Sequence, residues 1–198
     1  MRALPCSSNF RALKNSIVLS CLAILMALPV PALAEQADRN KPMNIEADNL
    51  DHDELKQISV FTGRVVATKG TITLRGSRLE VRQDPEGYQY GVLTADKGQR
   101  AFFRQKREAV DEWMEGESEQ IDYDSKADRV VLLKRADFRR YRGTVLSDQM
   151  SGQRIVYENL TDQFSVDGQL GGAKPTGGSP TGRVRAVLTP RNNDGAAK

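Results

Sequence analysis

The sequence predicts an all-β fold, because one short strand pattern recurs four times and no segment after residue 34 has sustained helical periodicity. In each copy a small residue is followed by an aliphatic residue three positions on, and three copies then end on an apolar residue. The copies are Ala47–His52, Gly76–Val81, Ser118–Tyr123 and Gly152–Tyr157. Their last three residues alternate between two faces, as in a half-buried strand. The unequal spacings of 29, 42 and 34 residues indicate stacked strands joined by turns of different length.

Alternating apolar and polar residues predict the individual strands in chain order. Pro42 opens the first strand, where proline is tolerated, and Lys69-Gly70 and residues 84–87 predict turns. A further turn is expected at residues 51–54, and residues 96–98 are expected to close a hairpin. The predicted strands cover residues 42–48, 58–67, 71–74, 89–95, 100–105 and 130–133.

The composition also divides the chain into segments. Residues 35–167 are predicted to form one β-domain, in which segments 63–67 and 134–138 hold equivalent places and indicate one unit used twice. Residues 168–182 are rich in Gly, Pro, Ser and Thr and predict a flexible linker. A last strand is expected at residues 183–190, followed by a disordered tail at residues 191–198.

The N-terminus has the pattern of a cleaved signal peptide. Arg2, Arg11 and Lys14 form a basic region, and Ile17–Leu28 is an apolar stretch of 12 residues. Ala32-Leu33-Ala34 provides an A-x-A cleavage site. Because a membrane-spanning helix needs about 20 apolar residues, we predict an exported protein cut after residue 34.

Removal of this leader changes the charge. The whole chain has 29 Lys and Arg against 26 Asp and Glu, and the leader contains three of the former and none of the latter. The mature chain is therefore neutral, so its charge does not indicate a nucleic-acid partner. Both cysteines, Cys6 and Cys21, lie in the leader, and the mature chain can form no disulfide.

The mature sequence contains no catalytic or metal-binding motif that we recognise. His52 is the single histidine, and no cysteine follows residue 34 to complete a metal or nucleophile site. We interpret His52 as a solvated turn residue. One alternative is an enzyme that acts on an acidic polysaccharide through Asp122 and Asp124, which Asp122→Asn would test.

Two charged stretches allow several interpretations. The acidic stretch lacks the spacing of a calcium loop and is interpreted as a solvated face. The basic stretch resembles a nucleic-acid-binding strand, but export argues against that partner; it could instead contact phosphates of an anionic lipid, or protect an edge strand from aggregation. The acidic stretch contains Asp111, Glu112, Glu115, Glu117 and Glu119. The basic stretch contains Lys134, Arg135, Arg139, Arg140 and Arg142.

Several motifs in the same order resemble OstA-like domains. Pro42–Asp48 resembles their opening P-I-x-I-x-A-D, and Phe61–Gly70 resembles F-x-G-N-V-x-V-x-Q-G. Ile121–Tyr123 with Val130–Leu132 is similar to M/I-x-Y followed by V-x-L. Arg183–Pro190 matches the closing R-V-x-x-x-L-x-P. Arg64 and Arg135 stand where the family usually has asparagine, and the linker before Arg183 is longer than usual.

The resemblance implies a single twisted β-jellyroll, shaped like a slightly opened V, that holds the acyl chains of lipopolysaccharide. It implies a periplasmic location, no enzymatic activity and no cofactor. It further implies head-to-tail copies that form a bridge from an inner-membrane partner, LptC, at the N-terminal edge to the outer-membrane translocon, LptD, at the C-terminal edge. A soluble periplasmic carrier of another lipid, without bridging, is the alternative.

The resemblance also assigns residues to two sites. The expected lipopolysaccharide-binding groove consists of Met43, Ile45, Phe61, Val65, Ile72, Leu74, Leu79, Phe102, Ile121 and Tyr123. The expected joint with a partner or a second copy consists of Met43, Ile45, Val184, Ala186 and Leu188. Without the resemblance, the same apolar residues would be interpreted as the core of an ordinary β-sandwich.

Overall fold

A computed structural model describes Asp38 and residues 41–107, 110–170 and 182–190, which belong to one structural unit. This part contains twelve antiparallel strands and no α-helix, which confirms the predicted all-β fold. The predicted signal peptide, the tail at residues 191–198 and linker residues 171–181 lie outside the described residues. The strands are β1 Asn44–Glu46, β2 Asn49–Asp53, β3 Ile58–Lys69, β4 Ile72–Gln83, β5 Gln89–Thr94, β6 Ala101–Lys106, β7 Glu112–Ser118, β8 Gln120–Asp124, β9 Arg129–Arg142, β10 Val145–Glu158, β11 Gln163–Asp167 and β12 Arg185–Leu188.

Four long strands organise the fold, because each pairs with different short strands along its two halves. Strand β3 pairs with β2 through its first half and with β1 through its second. Strand β4 pairs first with β6 and then with β5. Strand β9 pairs first with β8 and then with β7, and β10 pairs first with β12 and then with β11. The long strands therefore pass from one group of short strands to another.

This pairing produces two layers that share the four long strands. The first layer has the order β2-β3-β4-β5-β8-β9-β10-β11, and the second has the order β1-β3-β4-β6-β7-β9-β10-β12. Buried residues of both layers form one core cluster. The result is a β-jellyroll with edge strands β1 and β2 at its N-terminal end and β11 and β12 at its C-terminal end.

The long strands bend where they change layer. In β3 the register shifts between Thr62 and Val65, and Gly63 there has a φ of +100°, a left-handed value that glycine tolerates. A Cβ atom at Gly63 would also lie only 2.3 Å from Asp48 Oδ2. In β9, Lys134 and Arg135 have φ values of +63° and +50°. The two segments predicted to be equivalent thus contain equivalent bends.

Strand pairing corrects two local predictions. The hairpin predicted around residues 96–98 is wrong, because β5 pairs with β4 and β8 whereas β6 pairs with β4 and β7. The basic stretch does not lie on an edge strand, because β9 has paired strands on both sides along its length. Sequence periodicity indicates a strand but not its partners, which depend on the bends.

The turn predicted at residues 51–54 lies later in the chain, at residues 54–57. Residues 51–53 belong to β2, and His52 lies opposite Ser59 of β3. The two ring nitrogens of His52 contact Ser59 Oγ at 2.9 Å and Glu54 Oε2 at 2.8 Å. His52 is therefore an exposed strand residue with two hydrogen-bond partners, rather than a turn residue.

Candidate functional site

The interior of the jellyroll is lined by two apolar rows that cross all strands of the two layers. Directly opposite residues in neighbouring antiparallel strands share a face, so the registers define each row. In the first layer the row is Leu50, Phe61, Leu79, Leu93, Ile121, Leu132, Ile155 and Val166. In the second it is Ile45, Ala67, Leu74, Phe103, Gly116, Phe138, Met150 and Ala186.

Nine of the ten residues predicted for the groove belong to the interior or pack against it. Five lie in the two rows: Ile45, Phe61, Leu74, Leu79 and Ile121. Val65, Ile72 and Tyr123 are buried in the same core, and Met43 packs against it. Their common position defines an apolar interior, and their binding of lipid stays a prediction.

The interior position predicted for Phe102 is wrong. Phe102 lies opposite Arg75 and Glu117 on the outer face, and its ring centroid is 5.5 Å from the Arg75 guanidinium carbon. Its neighbour Phe103 is fully buried and occupies the interior row. The alternation of β6 contained the signal, since Phe102 is in phase with Arg104 and Phe103 with Ala101.

The two layers are in close contact in the middle of the interior. A Cβ atom on Gly116 would lie 2.7 Å from Leu132 Cδ1 of the opposite layer. Phe138 also reaches across to the first layer, with ring centroids 5.9 Å from Tyr157 and 4.7 Å from Phe164. Bulky apolar chains could enter this region only if the layers moved apart, because packed interiors leave no room for added methylenes.

The interior is less covered at its two ends. Met43, Ile45 and Phe61 near the N-terminal edge are only partly buried, although they pack against the core. In the first layer the row begins at Leu50, which is 57% exposed. At the other end Leu188 lies opposite Asp148, which lies opposite Arg140, so all three share the inward face. Leu188 is nevertheless 69% exposed. Both ends thus leave inward-facing apolar side chains uncovered.

The predicted joint residues lie at these ends. β12 covers Arg185–Leu188, a shorter segment than the strand expected at residues 183–190, and all four of its residues are exposed. Ala186 and Leu188 face the interior side through their partners Met150 and Asp148. Val184 precedes the strand and is exposed. Their contact with another molecule stays a prediction.

Opposite the bends, charged side chains bridge the two layers along a side that we call the mouth, which contains Lys69, Arg107, Glu112 and Asp162. There, cations of the second layer reach toward the first. Lys69 Nζ lies 5.7 Å from the Tyr123 ring centroid, and Arg107 forms an ion pair with Asp162. The mouth is therefore bordered by charged side chains, whereas the rows behind it are apolar.

The acidic and basic stretches neutralise each other on β7, β9 and their neighbours. Glu117 accepts hydrogen bonds from Arg100 at 2.6 Å and Arg139 at 3.1 Å, and Glu119 lies 3.7 Å from Arg135. Within the described ranges, no group of three or more His, Cys, Asp or Glu is arranged to hold a metal ion. The acidic stretch is thus an ion-paired surface.

Glu112, at the mouth, is the most buried carboxylate of this network. Burial raises its pKa, but hydrogen bonds from Arg107 at 2.8 Å and Arg142 at 3.0 Å outweigh that effect, and the net pKa lies below the ordinary value. A carboxyl group with a lowered folded-state pKa stabilises the fold above its unfolded pKa, and this stability is lost as the pH falls through the folded value.

We therefore expect Glu112→Gln to flatten the acid dependence of stability. Wild-type stability should fall as the pH decreases below the ordinary glutamate pKa of 4.5, and the variant should be less stable at neutral pH but lose less on acidification. Urea denaturation at several pH values measures both. Glu46→Gln, at an exposed position on β1 outside this cluster, serves as the control. Parallel pH curves for wild type and Glu112→Gln would contradict the assignment.

The acidic pair of the enzyme alternative has structural roles. Asp124 accepts hydrogen bonds from the backbone N–H groups of Lys126 at 3.0 Å and Ala127 at 2.9 Å, which fixes the turn after β8. Asp122 accepts a 2.7 Å hydrogen bond from Gln120 on the same outer face. Both carboxylates are therefore engaged in local hydrogen bonds that the fold itself explains.

A cavity of about 620 Å³ lies outside the interior, at the bends of β3 and β4. Arg64, Arg75 and Phe102 are among its lining residues. The Arg64 side chain donates hydrogen bonds to Asp48, the shortest at 2.7 Å, and holds the pKa of that carboxyl group below its ordinary value. The cavity has a mixed lining of charged, polar and apolar residues, and none of its lining residues belongs to the apolar rows.

Comparisons with known proteins agree with this architecture. A family model described as LptA/(LptD N-terminal domain) LPS transport protein matches residues 44–163. The chain belongs to this family. The matched residues overlap three of the four motifs that resemble OstA-like domains, and the closing motif at residues 183–190 lies beyond the match. The predicted family is confirmed. The family consists of transport proteins rather than enzymes, which also confirms the predicted absence of an enzymatic role.

Individual relatives are similar to this chain over most of its length. It is 28% identical to the lipopolysaccharide export system protein LptA of Escherichia coli K12 over 192 residues, which are 94% of this chain and 95% of the relative. It is 29% identical to the corresponding protein LptH of Pseudomonas aeruginosa over 160 residues, which are 81% and 86% of the two chains.

A solved structure supports the fold. The crystal structure of LptH, described as the LptA-homologous periplasmic component of the lipopolysaccharide transport device of Pseudomonas aeruginosa, superposes with a TM-score of 0.65 at 24% identity. The match covers 78% of this chain and 99% of that chain. The predicted jellyroll is thus confirmed. Among the residues that the structure describes, no helical segment has the length and apolar character needed to cross a membrane.

Proposed function

We propose that this protein carries lipopolysaccharide across the periplasm in its apolar interior, and that copies join head to tail into a bridge. The bridge would receive lipid from LptC at the N-terminal edge and deliver it to LptD at the C-terminal edge. The observation that carries the proposal is the pair of apolar rows that runs without interruption from one open end to the other. The leader that ends at Ala34 would direct export and then be removed.

The rows support the lipid-carrying part of the proposal. Each methylene removed from water contributes about 0.8 kcal/mol, so an acyl chain laid along the rows would be strongly held. Close contact between Gly116 and Leu132 means that the two layers must separate to admit it. Separation of the layers would occur at the mouth, where charged side chains rather than continuous strands connect the described parts of the two layers.

The edge strands support the head-to-tail part. Within the described residues, β1, β2, β11 and β12 each pair with a single neighbour, and free strand edges favour addition of another strand. Because each layer contains an even number of alternating strands, its first and last strands run in opposite directions. A following copy in the same orientation would therefore place its β1 antiparallel to β12 and its β2 antiparallel to β11.

The uncovered side chains at the ends favour the same arrangement. Leu188 at one end and Leu50 at the other face inward but are exposed. A second copy would bury both and continue the apolar rows. A heterologous contact of this kind generates open filaments rather than closed rings. A free carrier of another lipid would gain nothing from open apolar ends, which makes it the second candidate.

Deletion of residues 183–190 tests the bridge. We expect sedimentation velocity to detect concentration-dependent assemblies of the mature chain and their loss in this variant. Lipopolysaccharide binding by the monomer should be retained, because β12 is exposed and peripheral. Deletion of residues 191–198 removes the same length of chain beyond the strand and should leave assembly unchanged. Equal assembly of both variants would exclude β12 as the joint. Full lipopolysaccharide export in cells without residues 183–190 would favour the free carrier.

A further inference from the structure

Arg140 is a charged residue on the inward face of the second layer. It lies directly opposite Met114 on one side and Asp148 on the other, and Met114 is a fully buried core residue. Its guanidinium carbon is 5.3 Å from the ring centroid of Phe164 in the first layer. The Arg140 side chain is 13% exposed. An arginine therefore reaches between the layers next to the apolar rows.

The guanidinium of Arg140 is incompletely satisfied. Its Nη1 lies 3.4 Å from Asp148 Oδ2, and Asp148 also accepts a 3.1 Å hydrogen bond from the backbone N–H of Thr189. Its Nε is buried and has no hydrogen-bond partner. A buried donor without a partner is costly, and the planar guanidinium offers five N–H donors suited to a bidentate oxyanion. The geometry thus leaves donors available for a further acceptor.

Arg140 lies among the charged side chains of the mouth. Arg107 and Arg142 share Glu112, Arg107 also pairs with Asp162, and Arg140 pairs with Asp148. The cluster contains as many carboxylates as guanidinium groups. A small anion alone must therefore compete with carboxylates already in place, whereas an anion attached to acyl chains gains additional binding from the adjacent apolar rows.

We propose that Arg140 binds the phosphate monoester of a glycolipid headgroup at the mouth while the acyl chains lie along the apolar rows. The phosphate would accept the free Nε–H together with the neighbouring Nη2–H in a bidentate contact, while Asp148 stays beside Nη1. This inference rests on the proposed lipid-carrying function and adds to it a specific anion site and an orientation of the cargo. It also gives the inward-facing arginine of the basic stretch a role that core packing does not explain.

The test compares two lipids and two variants of the full mature chain. Binding of lipid A carrying its phosphates and of enzymatically dephosphorylated lipid A is measured for wild type, Arg140→Lys and Arg139→Lys. Lysine keeps the positive charge but loses the bidentate fork and the Nε–H. Arg139, the next residue on β9, faces outward and pairs with Glu117, so it is a matched control. Thermal unfolding verifies that each variant is folded.

We expect wild type and Arg139→Lys to prefer the phosphorylated lipid by about tenfold or more, as for a charge-assisted hydrogen-bonded pair. Arg140→Lys should lose most of this preference while still binding the dephosphorylated lipid as wild type does. Inorganic phosphate at millimolar concentration should not displace the lipid from wild type, which distinguishes a lipid headgroup from a free phosphate as the ligand.

Several results would overturn the inference. Equal affinity of the wild type for the two lipids would overturn the anion site, even if Arg140→Lys proved unfolded. The lipid-carrying proposal would then stand without that site. An unchanged preference in a folded Arg140→Lys would place the phosphate elsewhere. Displacement of the lipid by inorganic phosphate would identify a free-phosphate site. Failure of wild type to bind either lipid would reject the lipid-carrying proposal itself.

Discussion

Replacing Phe103 with alanine is expected to lower the free energy of unfolding by about 3–5 kcal/mol, because a large buried ring is lost and a cavity remains. Phe103 is fully buried and lies in the interior row between Leu74 and Gly116. The glycine opposite it offers no side chain that could fill the space. Chemical denaturation of the mature chain, with the unfolding slope checked for two-state behaviour, measures the loss.

Phe102→Ala is the matched control for this prediction, since it removes the same ring one position away. Phe102 is half-buried on the outer face next to Arg75. Its truncation removes a cation–π contact worth about 0.5–1 kcal/mol and less buried apolar surface than the truncation of Phe103. A large difference between the variants is the expected result. Similar losses would mean that both rings are buried, and a larger loss for Phe102→Ala would reverse the inward and outward faces of β6.

Ile45→Asp is expected to abolish lipid transfer while the domain remains folded. Ile45 begins the apolar row of the second layer on an edge strand, where it is only partly buried. A carboxylate there would place a charge in the path of acyl chains, and burying that charge without a partner costs several kcal/mol. Transfer from the inner-membrane complex to the purified protein, followed by crosslinking to lipopolysaccharide, measures the effect.

Asn44→Asp provides the control for Ile45→Asp, because Asn44 is exposed on the opposite face of the same strand. It adds the same charge outside the interior and should leave transfer near the wild-type level. Circular dichroism reports folding of both variants. Unfolding of Ile45→Asp would show that Ile45 is an ordinary core residue. Normal transfer by a folded Ile45→Asp would show that the N-terminal edge is not part of the lipid path.

Much of the interior could be predicted from strand periodicity. Leu79, Ile121 and Ile155 occupy equivalent positions in three copies of the repeated pattern, and all three lie in the apolar row of the first layer. Alternation places such residues on one face wherever a strand is regular. The remaining copy, Ala47–His52, contributes Leu50, which begins the same row but is exposed because β2 is an edge strand.

The errors arose where alternation alone does not decide. Phe102 and Phe103 are adjacent aromatics, and choosing between them requires the phase of the strand, which Arg104 and Ala101 supply. The expected hairpin between β5 and β6 fails because β4 bends, so that its two halves take different partners. His52 appeared in a turn because its acidic neighbours resemble turn residues, yet they belong to an exposed edge strand.

The sequence by itself determined that this chain is a β protein of the LptA and LptD N-terminal-domain family with an apolar interior, since side-chain alternation and local motifs are properties of adjacent residues. Only the tertiary structure decided which strands pair, where the ends remain open, and that Arg140 lies inside while Arg139 lies outside. These features depend on contacts between residues distant in the chain, which are fixed by the bends and by the packing of the two layers.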